Sequence, residues 1–244
     1  MKYKIIVLVV LLIQTLHLRA QDKPLNLYLL IGQSNMAGRG AVEPQDTIAF
    51  PRVFTLNKNN KWVPARDPIH FDKSVAGVGL GRTFGIEMAK ANPNAVVGLI
   101  PCAVGGSSID VWKPGIYFRQ TKTNPWDDME KRLEIALQHG KLKGILWHQG
   151  ESDSNPAQCD SYKQKLEDLI QRVRSLAGNP NVPFVAGELG RFKIKSNKEQ
   201  YSNMKPSPAQ VVMKSTQEVV NSDKNAAFVN SHGLHHRGDQ THFN

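Results

Sequence analysis

Five short apolar runs, each followed by a longer polar or amphipathic stretch, limit what this chain can fold into more than any other feature. They are Leu27–Ile31, Ala95–Ile100, Gly144–Trp147, Val182–Ala186 and Ala226–Val229. A run without polar alternation is the pattern of a strand covered on both faces. Between the runs the period lengthens. Met129, Leu133, Ala136 and Leu137 recur at helical spacing, with Asp127 and Asp128 in the first turn, where the helix dipole favours carboxylates, and Gly140 at the end. Tyr162, Leu166, Leu169, Ile170, Val173 and Leu176 form a second stripe, closed by Gly178. Ser207-Pro208 caps a third helix carrying Val211, Val212 and Val219. Strands alternating with helices predict a parallel sheet with helices on both faces, and 244 residues suit one such domain. Ligands of such folds bind beyond the carboxyl ends of the strands, so chemistry is expected directly after the apolar runs. Residues 38–75, with Pro44, Pro51, Pro64 and Pro68, read as loop and as part of a site's rim.

The chain opens differently. Lys2 and Lys4 precede nine consecutive apolar residues, Ile5 to Ile13, and a fading stretch ends at Leu18-Arg19-Ala20. A basic head, an apolar stretch and a small residue before a break predict a signal peptide cut after Ala20, leaving residues 21–244 as the domain. A spanning helix needs about 18 apolar residues, and Gln14, Thr15 and His17 interrupt too early. The expectation is a secreted or periplasmic protein with no stable membrane insertion after cleavage. Without residues 1–20 the formal net charge of +10 falls to +7, because Lys2, Lys4 and Arg19 are lost. Lys193, Lys195, Lys198 and Lys205 cluster in one polar stretch, but no aromatic-interleaved basic motif points to nucleic acid.

Composition excludes further classes. With 40% hydrophobic and 21% charged residues the chain is neither disordered nor a coiled coil. Two cysteines, Cys102 and Cys159, cannot staple a disulfide-rich scaffold; whether they pair is left open. No Cys/His spacing matches a structural zinc site, and neither a Walker-type loop nor Gly-x-Gly-x-x-Gly is present.

Four segments carry candidate chemistry. Gly32-Gln33-Ser34-Asn35-Met36 follows the first apolar run, and a serine on a tight turn becomes a nucleophile once a base takes its proton. It departs from the Gly-x-Ser-x-Gly elbow, because Met36 holds the last position. Pro101 to Ser108 includes Gly105-Gly106, which can turn sharply and present an N–H to an oxyanion. Trp147-His148-Gln149-Gly150-Glu151-Ser152-Asp153 offers Gln149 as an amide donor and Glu151 as an acid, a base or an orienting group. Near the C-terminus Asp239 and His242 stand three apart, close enough for the carboxylate to hold Nδ1–H while Nε2 faces a serine. Each segment alone also reads as a turn, a cap or a glycine loop. Together, in chain order at strand ends, they supply every role that acyl transfer needs.

Those residues resemble the SGNH/GDSL hydrolase superfamily, in its sialate O-acetylesterase-like and family 6 carbohydrate esterase (acetylxylan esterase) branch. The likeness lies in Ile31-Gly32-Gln33-Ser34-Asn35-Met36-Ala37-Gly38, Gly105-Gly106-Ser107-Ser108, Trp147 to Asp153 and Gly238-Asp239-Gln240-Thr241-His242-Phe243. It implies a three-layer α/β/α sandwich, flavodoxin-like, with a mainly parallel five-stranded sheet. It implies a metal-free serine esterase, without cofactor, that removes acetyl groups from carbohydrate. Ser34 is then the nucleophile, His242 the base and Asp239 its orienting acid, with Glu151 a second candidate for that partner. The N–H groups of Ser34 and Gly106 and the Gln149 side chain would form the oxyanion hole, and Gln33 and Asn35 would contact substrate. The superfamily continues past the histidine into a final helix, which a chain ending at Asn244 is expected to lack.

Two other readings compete. A carbohydrate-binding module on a degenerate hydrolase fold would use Trp62, Trp112 and Trp126 to stack on sugars. A metal-dependent hydrolase would use His232, His235, Asp239 or His242. Adjacent histidines such as His235 and His236 point in different directions, which weighs against the second.

Overall fold

The computed structural model describes residues 24–244, so the expected signal peptide lies outside the described residues. One seven-stranded sheet runs through the domain in the order β3-β2-β4-β1-β5-β6-β7. Its strands are β1 (Leu25–Gly32), β2 (Val53–Leu56), β3 (Trp62–Pro64), β4 (Val97–Pro101), β5 (Gly140–His148), β6 (Phe184–Gly187) and β7 (Ala226–Val229). All neighbouring pairs are parallel except β2–β3. The α/β architecture and the five strands expected from the apolar runs are present, but the sheet has seven strands rather than five.

The two extra strands form a hairpin inside the stretch expected to be loop. Both are short, and β3 ends in Pro64, which an edge strand tolerates because its outer side carries no ladder bond. Distant contacts hold the hairpin in place. Arg132, buried on a helix described below, donates from Nη1 to the Asn57 carbonyl at 3.0 Å and from Nη2 to the Leu56 carbonyl at 2.5 Å. No local periodicity announces such a strand.

β1 shows how the layers arise. Leu27, Leu29 and Ile31 point to one face of the sheet, while Tyr28 and Leu30 point to the other. The four aliphatic residues Leu27, Leu29, Leu30 and Ile31 are 0% exposed, and each contributes about 1.5–3 kcal/mol by burial. The first face is covered by α3 (Pro125–Leu137), α4 (Tyr162–Leu176) and α6 (Pro208–Ser222), the three helices expected from the stripes. Ser207 is the N-cap of α6, as the serine before the proline suggested, and its N–H donates to Gln210 Oε1 at 3.0 Å. Gly140, expected to end α3, opens β5 instead.

The second face is covered by α2 (Leu80–Ala91), which carries Gly81, Gly85 and Ala89 on its inner side. This small-residue seam lets the helix lie close to Leu30, Val53 and Leu99, while Phe84, Ile86 and Met88 pack half-buried beside it. A further helix, α5 (Arg191–Gln200), carries Lys193, Lys195 and Lys198 of the lysine cluster and docks on α6 through Asn197, whose Oδ1 accepts from the Ala209 N–H at 2.9 Å. Among the described residues no helix is long and apolar enough to cross a membrane. Cys102 and Cys159 are both free thiols.

The end of β1 is the tightest junction. Gly32 has φ +135°, and a Cβ there would stand 2.2 Å from the His148 carbonyl oxygen of β5. Backbone strain and steric overlap both oppose any side chain, so Gly32→Ala is expected to cost about 2–6 kcal/mol. Urea unfolding of the variant beside the parent measures that loss.

Candidate active site

The chain leaves β1 for β2 and β4 on one side of the sheet and for β5, β6 and β7 on the other, so the carboxyl end of β1 stands where the strand order reverses. Ser34 sits there, in the single turn α1 (Ser34–Ala37). The loop after β4 is stitched beside it: the Val104 N–H donates to the Gly32 carbonyl at 2.9 Å. The loop after β5 is joined through Gln33, whose Oε1 accepts from the Ser152 N–H at 3.2 Å. The segment after β7 arrives last, as a hairpin in which His236 and Phe243 pair antiparallel.

That hairpin brings His242 to Ser34. Ser34 Oγ lies 2.9 Å from His242 Nε2, and His242 Nδ1 lies 2.7 Å from Asp239 Oδ2. The other carboxylate oxygen, Oδ1, accepts the backbone N–H groups of Thr241 at 2.9 Å and His242 at 2.8 Å. Partial burial pushes the Asp239 carboxyl up, but the backbone N–H and imidazole of His242 and the Thr241 N–H outweigh it. Together they hold the group well below the usual carboxylate range, so it is ionised at neutral pH. The three side chains therefore form a serine–imidazole–carboxylate chain over 208 residues of separation.

The two expected backbone donors lie in the loops that follow β1 and β4. The Ser34 N–H opens α1 and the Gly106 N–H lies in the turn after β4; neither has a protein acceptor among the described residues. Gly106 has φ +82°, and a Cβ would stand 2.9 Å from Gln120 Oε1, so the turn requires glycine. Its neighbour Gly105 donates to Asp72 Oδ2 at 2.8 Å, and the same oxygen takes Arg39 Nη2 at 2.9 Å in a buried ion pair. Sequence reading did not single out Asp72 or Arg39. They sit in the proline-rich 38–75 stretch, where no spacing marks them.

Other expected residues have different partners. Gln149, expected in the oxyanion hole, is 1% exposed, and its amide hydrogens face Ser107 O at 3.0 Å, Gln33 Oε1 at 3.1 Å and Asp153 Oδ2. Its Oε1 accepts from the Tyr162 hydroxyl at 2.9 Å. Burial pushes the Asp153 carboxyl up to about 6, against the lowering hydrogen bonds from Gln149 and the Ile109 N–H. With two hydrogens and three internal acceptors, Gln149 braces the loops and has no donor to spare. Gln33 and Asn35, expected to touch substrate, are 3% and 7% exposed and also bond internally. Glu151, the second candidate for the histidine's partner, accepts from Asn35 Nδ2 rather than from His242.

The tryptophans are not displayed either. Trp112 is 0% and Trp126 2% exposed, and Trp62 packs half-buried against the core. Trp112 and Trp147 meet edge to face at 5.8 Å, and Arg172 stacks on Trp126 at 4.3 Å. Trp112 and Trp126 fill the interior and offer no ring to a sugar. Among the described residues no three His, Cys, Asp or Glu side chains converge as a metal site. A cavity of about 560 Å³ lies behind the His242 hairpin, lined by Asn35, Met36, Phe84, Leu146 and Phe243; neither Ser34 nor His242 lines it.

Comparison with known proteins adds to this geometry. The family described as carbohydrate esterase, sialic acid-specific acetylesterase matches residues 24–244. A probable carbohydrate esterase of Arabidopsis thaliana is 31% identical over 183 residues, 66% of this chain and 68% of that protein. An X-ray structure of an Arabidopsis thaliana protein superposes with a TM-score of 0.75 at 26% identity, covering 90% of this chain and 91% of the other. NanS has the same fold at a TM-score of 0.65 and 18% identity, over 88% of this chain and 80% of its own. A carbohydrate acetylesterase of Xanthomonas citri does so at 0.63 and 18%, over 84% and 49%.

Proposed function

This chain belongs to the sialic acid-specific acetylesterase family of carbohydrate esterases, and we propose that it is an exported serine esterase that removes O-acetyl groups from carbohydrate. The observation that carries the reading is the chain from Ser34 Oγ to His242 Nε2 at 2.9 Å and on from Nδ1 to Asp239 at 2.7 Å. Ser34 attacks the acetyl carbonyl while His242 accepts its proton, and the ionised Asp239 stabilises the imidazolium that forms. Negative charge on the carbonyl oxygen is met by the N–H groups of Ser34 and Gly106, each such donor supporting about 10²–10³ in kcat. His242 then protonates the departing sugar oxygen. Water repeats the sequence on the acetyl-serine, which releases acetate and restores the enzyme.

The donor set, a hydroxyl, an imidazole, a carboxylate and backbone amides, completes this chemistry without a cofactor or metal. The family description favours acetylated sialic acid as the carbohydrate, with acetylated xylan the other candidate class. The basic head, apolar stretch and Ala20 of residues 1–20 support export, to the periplasm or outside the cell. The buried tryptophans weigh against a binding module without turnover.

Acetate release from O-acetylated sialic acid and from acetylxylan, with and without EDTA, tests substrate and metal independence together. Intact mass and peptide mapping after treatment with diethyl p-nitrophenyl phosphate test the nucleophile. One phosphoryl adduct on Ser34 and chelator-resistant acetate release are expected. Chelator-sensitive turnover, or an adduct elsewhere, would overturn the reading.

A further inference from the structure

The Asp239–His242 pair lies within one hairpin, so it orients the imidazole relative to its own loop and not relative to Ser34. Something else must join that loop to β1. Asn35, the residue after the proposed nucleophile, makes the connection. Its Nδ2 donates to the Thr241 carbonyl at 3.0 Å and its Oδ1 accepts the Phe243 N–H at 3.2 Å. One carboxamide thus grips the residue on each side of His242. The second Nδ2 hydrogen goes to Glu151 Oε1 at 2.5 Å. A carboxylate only accepts, so Glu151 selects the amide orientation in which nitrogen faces Thr241 O and oxygen faces Phe243 N–H. The opposite orientation would set oxygen against two acceptors. Asn35 and Glu151 are 7% and 9% exposed, so little water competes, whereas the His242 and Asp239 side chains are 24% and 43% exposed.

We infer that Asn35, held in one orientation by Glu151, is the positioning residue that sets His242 against Ser34. This rests on the reading of Ser34 and His242 as the reacting pair. Asn35 touches no reacting atom in the proposal; it fixes the distance between nucleophile and base by tying their two segments together. Further contacts steady the hairpin without bracketing the histidine: Phe243 packs on Phe192 at 5.2 Å and on His148 at 5.6 Å, His236 packs on Phe192 at 5.1 Å, and Arg237 Nη1 donates to the Arg39 carbonyl. Glu151 then serves as an acceptor for Asn35, and a neutral acceptor of the same shape replaces it.

Steady-state kinetics on p-nitrophenyl acetate, with thermal unfolding of each variant, test this. Asn35→Ala is expected to lower kcat about 10²-fold with KM within about twofold, the size of effect a misplaced catalytic group produces. Glu151→Ala should lower kcat at least about tenfold. Glu151→Gln should stay within about fivefold of the parent, because its amide oxygen still accepts from Asn35. Three results would overturn the inference: unchanged kcat in Asn35→Ala, a rise in KM alone, or a Glu151→Gln protein as slow as Glu151→Ala. The last would mean that the charge matters rather than the acceptor. If Asn35→Ala does not unfold cooperatively, the Glu151 pair decides by itself. Full activity in Ser34→Ala is a separate result, which would remove the esterase reading on which the inference stands.

Discussion

Replacing Ser34 by alanine is expected to lower kcat for p-nitrophenyl acetate by about 10⁴-fold or more, leaving only the residual turnover of binding and backbone electrostatics. The side chain is small and 5% exposed, and its Oγ has a single side-chain partner, His242 Nε2. Removing it deletes the attacking atom and one hydrogen bond, so unfolding free energy should change by no more than about 1 kcal/mol. A folded protein without activity is the expected result. Initial rates and a urea melt on the same preparation measure both halves, and undiminished turnover would refute the nucleophile assignment.

Asp239→Asn should be the next most damaging change, with kcat falling about 10³–10⁴-fold. The exchange is nearly isosteric. Its remaining oxygen can still accept the Thr241 and His242 N–H groups that shape the hairpin. The position facing His242 Nδ1, however, becomes an NH₂ donor. The imidazole must then turn its unprotonated Nδ1 toward residue 239 and carry its proton on Nε2, where it cannot accept from Ser34. Stabilisation of the imidazolium is lost as well. Comparison with Glu151→Gln separates the two carboxylates: the Asp239 change should be at least about a hundredfold worse. Similar losses at both positions would mean that the acid function is shared.

Much of the frame was readable before any coordinates. β1, β4, β5, β6 and β7 all lie on the apolar runs, and α3, α4 and α6 on the large-residue stripes, because burial on both faces of a sheet, or on one face of a helix, writes its period directly into the chain. Elements built by other means left no such trace. α2 packs through Gly81, Gly85 and Ala89, so its buried side shows small residues where a stripe was sought. The β2–β3 hairpin depends on Arg132, more than 70 residues away.

The same division runs through the site. Ser34, Gly106, Asp239 and His242 could be named because tight turns at strand ends and an Asp-x-x-His spacing are local chemistry. That Ser34, Asp239 and His242 meet across 208 residues was expected from their order at strand ends and from the family resemblance, and the structure gives those three their distances. The roles of Gln33, Asn35, Gln149 and Glu151 were not legible. An amide and a carboxylate look the same in sequence whether they face a substrate or another loop, and only the partner decides. That partner is chosen by how the sheet brings four loops together, so residue type and local order determined which chemistry was possible, and tertiary packing determined which polar groups were left free to perform it.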